Sequence, residues 1–201
     1  MRLDELIHDT ALTLARGTGV VSVTDVTDDS RMVKPGTLFV ARSGTSTDGR
    51  QFVSDAVRRG TTAVVIDRLP DHLVPGVVWL LAPHVDQGLA GRLAERFWDH
   101  PSQQLSLVGV TGTNGKTTTA FVIRHLLRSA GMRCGLIGTI YIDTGEEQIP
   151  ALLTTPGAIE LSRHLATMVR HGCRAAVAEM SSHGIQQGRC AALHLDVAAF
   201  T

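Results

Sequence analysis

This chain carries no excess of either charge: 19 Lys and Arg stand against 19 Asp and Glu, a formal net charge of zero. Without a basic surplus, composition offers no electrostatic footprint for nucleic acid or an anionic membrane. Long apolar runs are missing too. The run Gly76–Pro83 (GVVWLLAP) falls far short of the ~20 residues a membrane-spanning helix needs. The opening MRLDELIHDT is acidic and amphipathic, with neither the basic nor the apolar region of a secretory leader. There are three cysteines, Cys134, Cys173 and Cys190, an odd number, widely spaced and without C-x-x-C. That pattern argues against a disulfide framework and for core thiols in a reduced, cytoplasmic setting. The nine histidines show no metal-ligand spacing, and no internal repeat is present. What remains is an ordinary globular composition, 43% hydrophobic and 19% charged over 201 residues, enough for one large or two small domains.

Against that background one stretch stands out, LVGVTGTNGKTTT from Leu107 to Thr119. An apolar run, Leu105–Val110, reads as a buried strand; Gly112-Thr113-Asn114-Gly115 reads as a tight turn. Lys116-Thr117-Thr118 then opens a helix predicted to run to about Gly131. Strand, glycine loop, Lys-Thr and helix together are the form of a phosphate-binding loop. The glycines let successive backbone N–H groups converge on phosphate oxygens, and the helix N-terminus and the Lys116 ammonium add positive charge. The Thr117 hydroxyl is placed to ligate the Mg2+ that accompanies ATP. The loop is a shortened variant, because Val110 occupies the first glycine position of G-x-x-x-x-G-K-[ST].

Around this loop the chain divides. Before it, the pattern predicts a helix over 4–16 and strands over 20–26 and 37–41. A helix over 51–59 follows, then strands over 62–67 and 77–81 and a helix over 85–99 that His100-Pro101-Ser102 ends. Beyond a boundary at 100–104, strands over 105–110, 133–139, 174–180 and 197–200 alternate with helices over 116–131 and 158–171, and 181–189 reads as a polar loop. The expectation is α/β throughout: a small N-terminal α/β domain (1–101), then a truncated doubly wound parallel sheet of the P-loop type (102–201). Ligands of such sheets lie at the carboxyl ends of the strands, where Gly112, Glu179 and Ser181 fall. The apolar strand immediately before Thr201 leads us to expect an incomplete sheet domain.

Other positions carry chemistry of their own. Glu179, ending the run Ala175–Ala178, could hold a metal bridging phosphates. Ser181-Ser182-His183 is not a nucleophile–base pair, because neighbours in sequence seldom face one another and no G-x-S-x-G elbow is present. Its hydroxyls, with Gln187 and Arg189, suit an acidic, hydroxyl-rich ligand. Thr154-Thr155-Pro156 is either plain turn chemistry or a pair of ligand hydroxyls, and Ser30-Arg31 either a solvated turn or an anion contact.

In order, the chain reads D-S-R-x-V-x-P-G-x-L-F-V-A, D-G-R-x-F, T-G-T-N-G-K-T-T-T, L-T-T-P-G and E-M-S-S-H-x-x-x-x-G-R. This series resembles the Mur ligases over essentially the whole chain, and within them the MurE type. The resemblance implies an ATP-dependent amide ligase joining meso-diaminopimelate or L-lysine to UDP-MurNAc-L-Ala-D-Glu through an acyl phosphate. It implies ATP binding by Thr111, Gly112, Thr113, Asn114, Gly115, Lys116, Thr117 and Thr118. Lys116 and Glu179 would be catalytic, with Thr117 and Glu179 on Mg2+. Contacts to the sugar nucleotide would come from Ser30, Thr45, Ser46, Thr47, Thr154, Thr155, Ser181, Gln187 and Arg189. Leu153 replaces the Asn that some relatives carry before the Thr pair. The family's Asp-His-Leu-Asp segment, carbamylated lysine and C-terminal domain would follow Thr201, so these residues alone are expected to be inactive. A monomer without nucleic-acid or membrane partners is expected. Two rival readings are a non-catalytic nucleotide-sugar module and another superfamily ligase such as a folylpolyglutamate synthase, which the D-S-R opening disfavours.

Overall fold

The computed structural model describes residues 1–44 and 48–201 and divides into two compact units, Met1–Phe97 and Trp98–Thr201. In order, the first contains α1 (Leu3–Ile7), β1 (Thr13–Arg16), β2 (Asp25–Thr27), β3 (Thr37–Val40), α2 (Val53–Arg58), β4 (Ala63–Ile66), β5 (Val78–Leu81) and α3 (Gln87–Phe97). Its sheet runs β1-β5-β4-β3-β2, with β2 to β5 parallel and β1 antiparallel at one edge. Every residue of β3 and β4 is buried, which is why TLFV and AVVI read as unbroken apolar runs. One face packs Phe39, Val64, Ile66 and Trp79 against Val53 and Ala56 of α2.

The helix predicted over 4–16 is a correction. It stops at Ile7, Asp9 adopts φ 53, and the Thr10 hydroxyl donates to the Ile7 carbonyl at 2.6 Å. Leu14 therefore does not continue the helical face but pairs with Leu80 in an edge strand. The strand predicted over 20–26 shrinks to Asp25–Thr27, because the Val23 and Thr24 N–H groups bond the isolated carbonyls of Met1 and Gly36 rather than a ladder.

The second unit contains α4 (Pro101–Gln104), β6 (Ser106–Thr111), α5 (Lys116–Ser129), β7 (Cys134–Ile137), β8 (Tyr141–Asp143), β9 (Gln148–Pro150), α6 (Ala158–Arg170), β10 (Ala175–Glu179), α7 (Ser182–Gln186) and β11 (Val197–Phe200). The sheet order is β11-β6-β10-β7-β8-β9; the first four are parallel and the last two an antiparallel hairpin. Alternation along β10 sends Ala175 and Val177 to the face of α5, with Val110, Ala120 and Leu136. It sends Ala176 and Ala178 to the face of α6, with Leu161, Leu165 and Met168. The parallel core is thus covered on both sides. The two edges differ: β9 is exposed and ends in Pro150, whereas β11 exposes Val197 and Phe200.

Three details differ from expectation. The β8–β9 hairpin was unforeseen. Pro101 does not end a helix; it starts one, after Asp99 and His100 both turn left-handed. Within 181–189 a short helix forms because the Ser181 side chain caps it, accepting from the Gly184 N–H at 3.0 Å. Among the described residues no helix is long and apolar enough to cross a membrane.

Candidate functional site

The carboxyl ends of β6, β7 and β10 gather the chemistry of the second unit. Gly112 and Gly115 sit at φ 133 and φ 83, conformations a side chain rarely allows. A Cβ on Gly112 would lie 1.8 Å from the Thr201 oxygen, so the loop can pass the end of β11 only as glycine. Thr201 and the loop are stitched together: the Thr201 N–H donates to the Thr111 carbonyl at 2.9 Å, and the Thr113 N–H to the Thr201 oxygen at 3.2 Å. One loop amide is therefore already engaged. No side chain caps the start of α5, whose first-turn N–H groups carry the helix's partial positive charge. The Lys116 ammonium folds back onto its own loop, donating to the Gly112 carbonyl at 2.9 Å. Asn114 and Thr118 are exposed beside it.

Glu179, the last residue of β10, is fully buried. Its Oε2 accepts from the Thr117 hydroxyl at 2.9 Å, so residues 62 positions apart meet, as the strand-end reading required. It also accepts from the Thr139 N–H (3.1 Å to Oε1) and lies 3.2 Å from the Thr139 hydroxyl, which in turn lies 3.1 Å from the Thr154 hydroxyl. A hard carboxylate and a hydroxyl side by side fit Mg2+, which prefers one or two protein oxygens and fills its shell with water and phosphate. Among the described residues no group of three or more His, Cys, Asp or Glu could hold a metal ion.

The remaining predicted residues fall into two kinds. Thr155 is buried, with its hydroxyl donating to the Glu179 carbonyl at 3.0 Å and accepting from the Ser181 N–H at 2.9 Å. Its side chain fastens the Thr154–Pro156 turn to the end of β10. Arg189 donates to the Thr155 carbonyl (2.6 Å) and forks onto Gln187 Oε1 (3.0 and 2.6 Å), and Gln187 Nε2 lies 2.8 Å from His183 Nε2. Thr154, Ser181, Gln187 and Arg189 remain partly open to solvent on that side.

In the first unit, Ser30 is buried at the start of a short 3-10 turn. It borders a cavity of about 510 Å³ lined also by Asp28, Asp29, Arg31, Arg42 and Phe52. The Ser30 hydroxyl is the leading cause holding the Asp55 carboxyl below its usual range, with Arg59 and Arg58 adding to it. Asp29 caps the turn and takes the Arg31 guanidinium; Asp48 and Arg50 repeat the arrangement at the next turn. Hydrogen bonds from these arginines keep both carboxyls below their ordinary values. Thr45, Ser46 and Thr47 lie outside the described residues.

Sequence reasoning missed Gly138 and Thr139. The signal was present: CGLIGT is a second apolar strand ending in Gly-Thr, as LVGVTGT is the first. It also missed the buried ion cluster behind the loop, in which Arg124 of α5 pairs with Asp143 of β8 and Arg128 approaches the same carboxylate at 3.5 Å. All three cysteines are free thiols; burial raises the pKa of Cys173 and pushes those of Cys134 and Cys190 up to about 11.

Residues 22–79 match the model of the Mur ligase family, catalytic domain, and residues 110–201 that of the Mur ligase middle domain. Among curated relatives, the UDP-N-acetylmuramoyl-L-alanyl-D-glutamate--2,6-diaminopimelate ligase of Bacteroides fragilis is 39% identical, across 100% of this chain and 41% of its own length. Its namesake from Chlorobaculum tepidum is 42% identical, across 89% of this chain and 35% of its own. A solved structure of a ligase of that name superposes with a TM-score of 0.78 at 26% identity, covering 100% of this chain and 40% of that one. The structure of the UDP-N-acetylmuramoylalanyl-D-glutamyl-2,6-diaminopimelate--D-alanyl-D-alanyl ligase from Acinetobacter baumannii shares the fold, with a TM-score of 0.60 at 20% identity over 89% of this chain and 36% of that one. The chain spans about two-fifths of the length of the curated relatives it matches. It belongs to the Mur ligase family, and carries sequence of that family's N-terminal and middle domains.

Proposed function

We propose that the chain serves an ATP-dependent amide ligase that extends UDP-MurNAc-L-Ala-D-Glu with a diamino acid during peptidoglycan synthesis. Residues 1–101 would bind the UDP-sugar and residues 102–201 the ATP. Diaminopimelate is preferred over lysine because the relatives cited above are named 2,6-diaminopimelate ligases. The reading implies a cytoplasmic monomer, where nucleotide-linked precursors and ATP occur together.

A carboxylate is a poor acyl donor until one of its oxygens leaves as phosphate. In the proposed reaction a carboxylate oxygen of D-Glu takes the γ-phosphoryl group and ADP departs. The amine then attacks the acyl carbon, phosphate leaves with that oxygen, and the nitrogen loses a proton. The free amides of the 112–115 loop and the start of α5 would hold the triphosphate, with the Lys116 ammonium turning from Gly112 to the phosphates. Thr117 and Glu179 would hold Mg2+, which would supply charge neutralisation for the phosphoryl transfer. Ser30, the 45–47 segment, Arg31 and Arg42 would meet the uridine diphosphate. Thr154, Ser181 and Arg189 would meet the sugar-peptide, held in place by Thr155 and Gln187.

The observation that carries this reading is the 2.9 Å contact between Thr117 and Glu179. It supports a metal–phosphate site because it joins the first turn of α5, just after the glycine loop, to the end of β10, which the sequence keeps far apart. Calorimetry of the chain with ATP and Mg2+, and separately with UDP-MurNAc-L-Ala-D-Glu, tests it. Saturable, Mg2+-dependent ATP binding is expected, and its absence would remove the assignment.

A further inference from the structure

One residue holds both oxygens of the buried Glu179 carboxylate. The Thr139 N–H donates to Oε1 at 3.1 Å and its hydroxyl reaches Oε2 at 3.2 Å. This approach is possible because position 138 is glycine, where a Cβ would stand 2.4 Å from Oε1. The same Thr139 hydroxyl lies 3.1 Å from the Thr154 hydroxyl, so Thr154, Thr139 and Glu179 form one continuous run of polar contacts.

We propose that Thr139 is the positioning residue of this site, fixing the Glu179 carboxylate for the metal and tying it to Thr154 on the substrate side. The proposal rests on the reading of Glu179 as a metal carboxylate.

The test compares ADP binding by the 201-residue chain with and without Mg2+, the ratio of the two affinities being the quantity read. The wild type tests the underlying metal–phosphate reading by itself: no Mg2+ enhancement there sinks that reading, and this proposal with it. Given an enhancement, Thr139→Val is expected to lower the ratio about tenfold, the weight of one hydrogen bond to a charged group, with Mg2+-free affinity unchanged. Thr139→Ser is expected to restore it. An unaltered ratio in Thr139→Val, or equal losses with and without Mg2+, overturns the proposal. Thr154→Val is expected to lower the ratio about threefold through the shared hydroxyl chain; no change there overturns the link to the substrate side. A metal-free readout is amide exchange by NMR: the Thr139 N–H should be protected in the ligand-free chain, and exchange at the open-chain rate overturns the clamp.

Discussion

The two units build their polar sites in opposite ways. In the first, Asp29–Arg31 and Asp48–Arg50 are pairs two residues apart, each a carboxylate that caps a turn and takes the guanidinium two positions on. In the second, Thr117, Thr139, Thr154, Thr155 and Glu179 meet across 15 to 62 positions, around a carboxylate with no solvent exposure. Local pairs at a surface form wherever the turn forms and contribute little to holding the fold. Long-range pairs around a buried charge exist only when the sheet is in register, and each missing partner leaves a group desolvated. The second site should therefore be rigid and costly to edit, the first tolerant.

Substitutions can break that contrast or sharpen it. The largest effect is expected behind the loop. Asp143→Ala strands the Arg124 guanidinium, only 10% exposed, without its main partner. Urea unfolding of the chain should show a loss of about 3–5 kcal/mol. Thr155→Val, which removes a buried hydroxyl that both donates and accepts, should cost about 1–3 kcal/mol in the same measurement. Lys116→Ala separates function from stability: among the described residues its ammonium bonds one loop carbonyl, so unfolding should shift by about 0.5 kcal/mol or less. ATP affinity should nevertheless fall about 10–100-fold in calorimetry.

The smallest effect is expected in the first unit. The Asp29 carboxyl is lowered in the folded chain chiefly by Arg31. Its contribution is thus complete above the unfolded carboxylate value near ~4 and is lost as pH falls through the lower folded value. Acid unfolding of Asp29→Asn should be slightly less steep below about pH 4, and unfolding at pH 7 nearly unchanged. A drop at pH 7 as large as that of Thr155→Val would erase the distinction between the two units.

The same contrast explains what could be read in advance. D-S-R and D-G-R are visible because their interactions lie within three residues, and the glycine loop because its function is written in consecutive positions. Glu179 was found through topology, as a charged residue closing an apolar strand. Thr139 is harder to read because its partners lie 15 and 40 positions away, and the only local signal is an apolar strand closing in Gly-Thr. The helix expected over 4–16 failed for a local reason, the left-handed Asp9, which no apolar spacing reports. The β8–β9 hairpin was missed because Gln148-Ile149-Pro150 is exposed and too short to carry a period.

That hairpin also decides where this sheet can be extended. Pro150 has no N–H to offer and sits on the outermost strand beyond β8, a device that discourages pairing with a neighbour. The opposite flank has no such guard: β11 bonds β6 on one side and leaves Phe200 83% exposed. Of the two edges, the one open to a further strand is therefore the one whose end is stitched to the glycine loop.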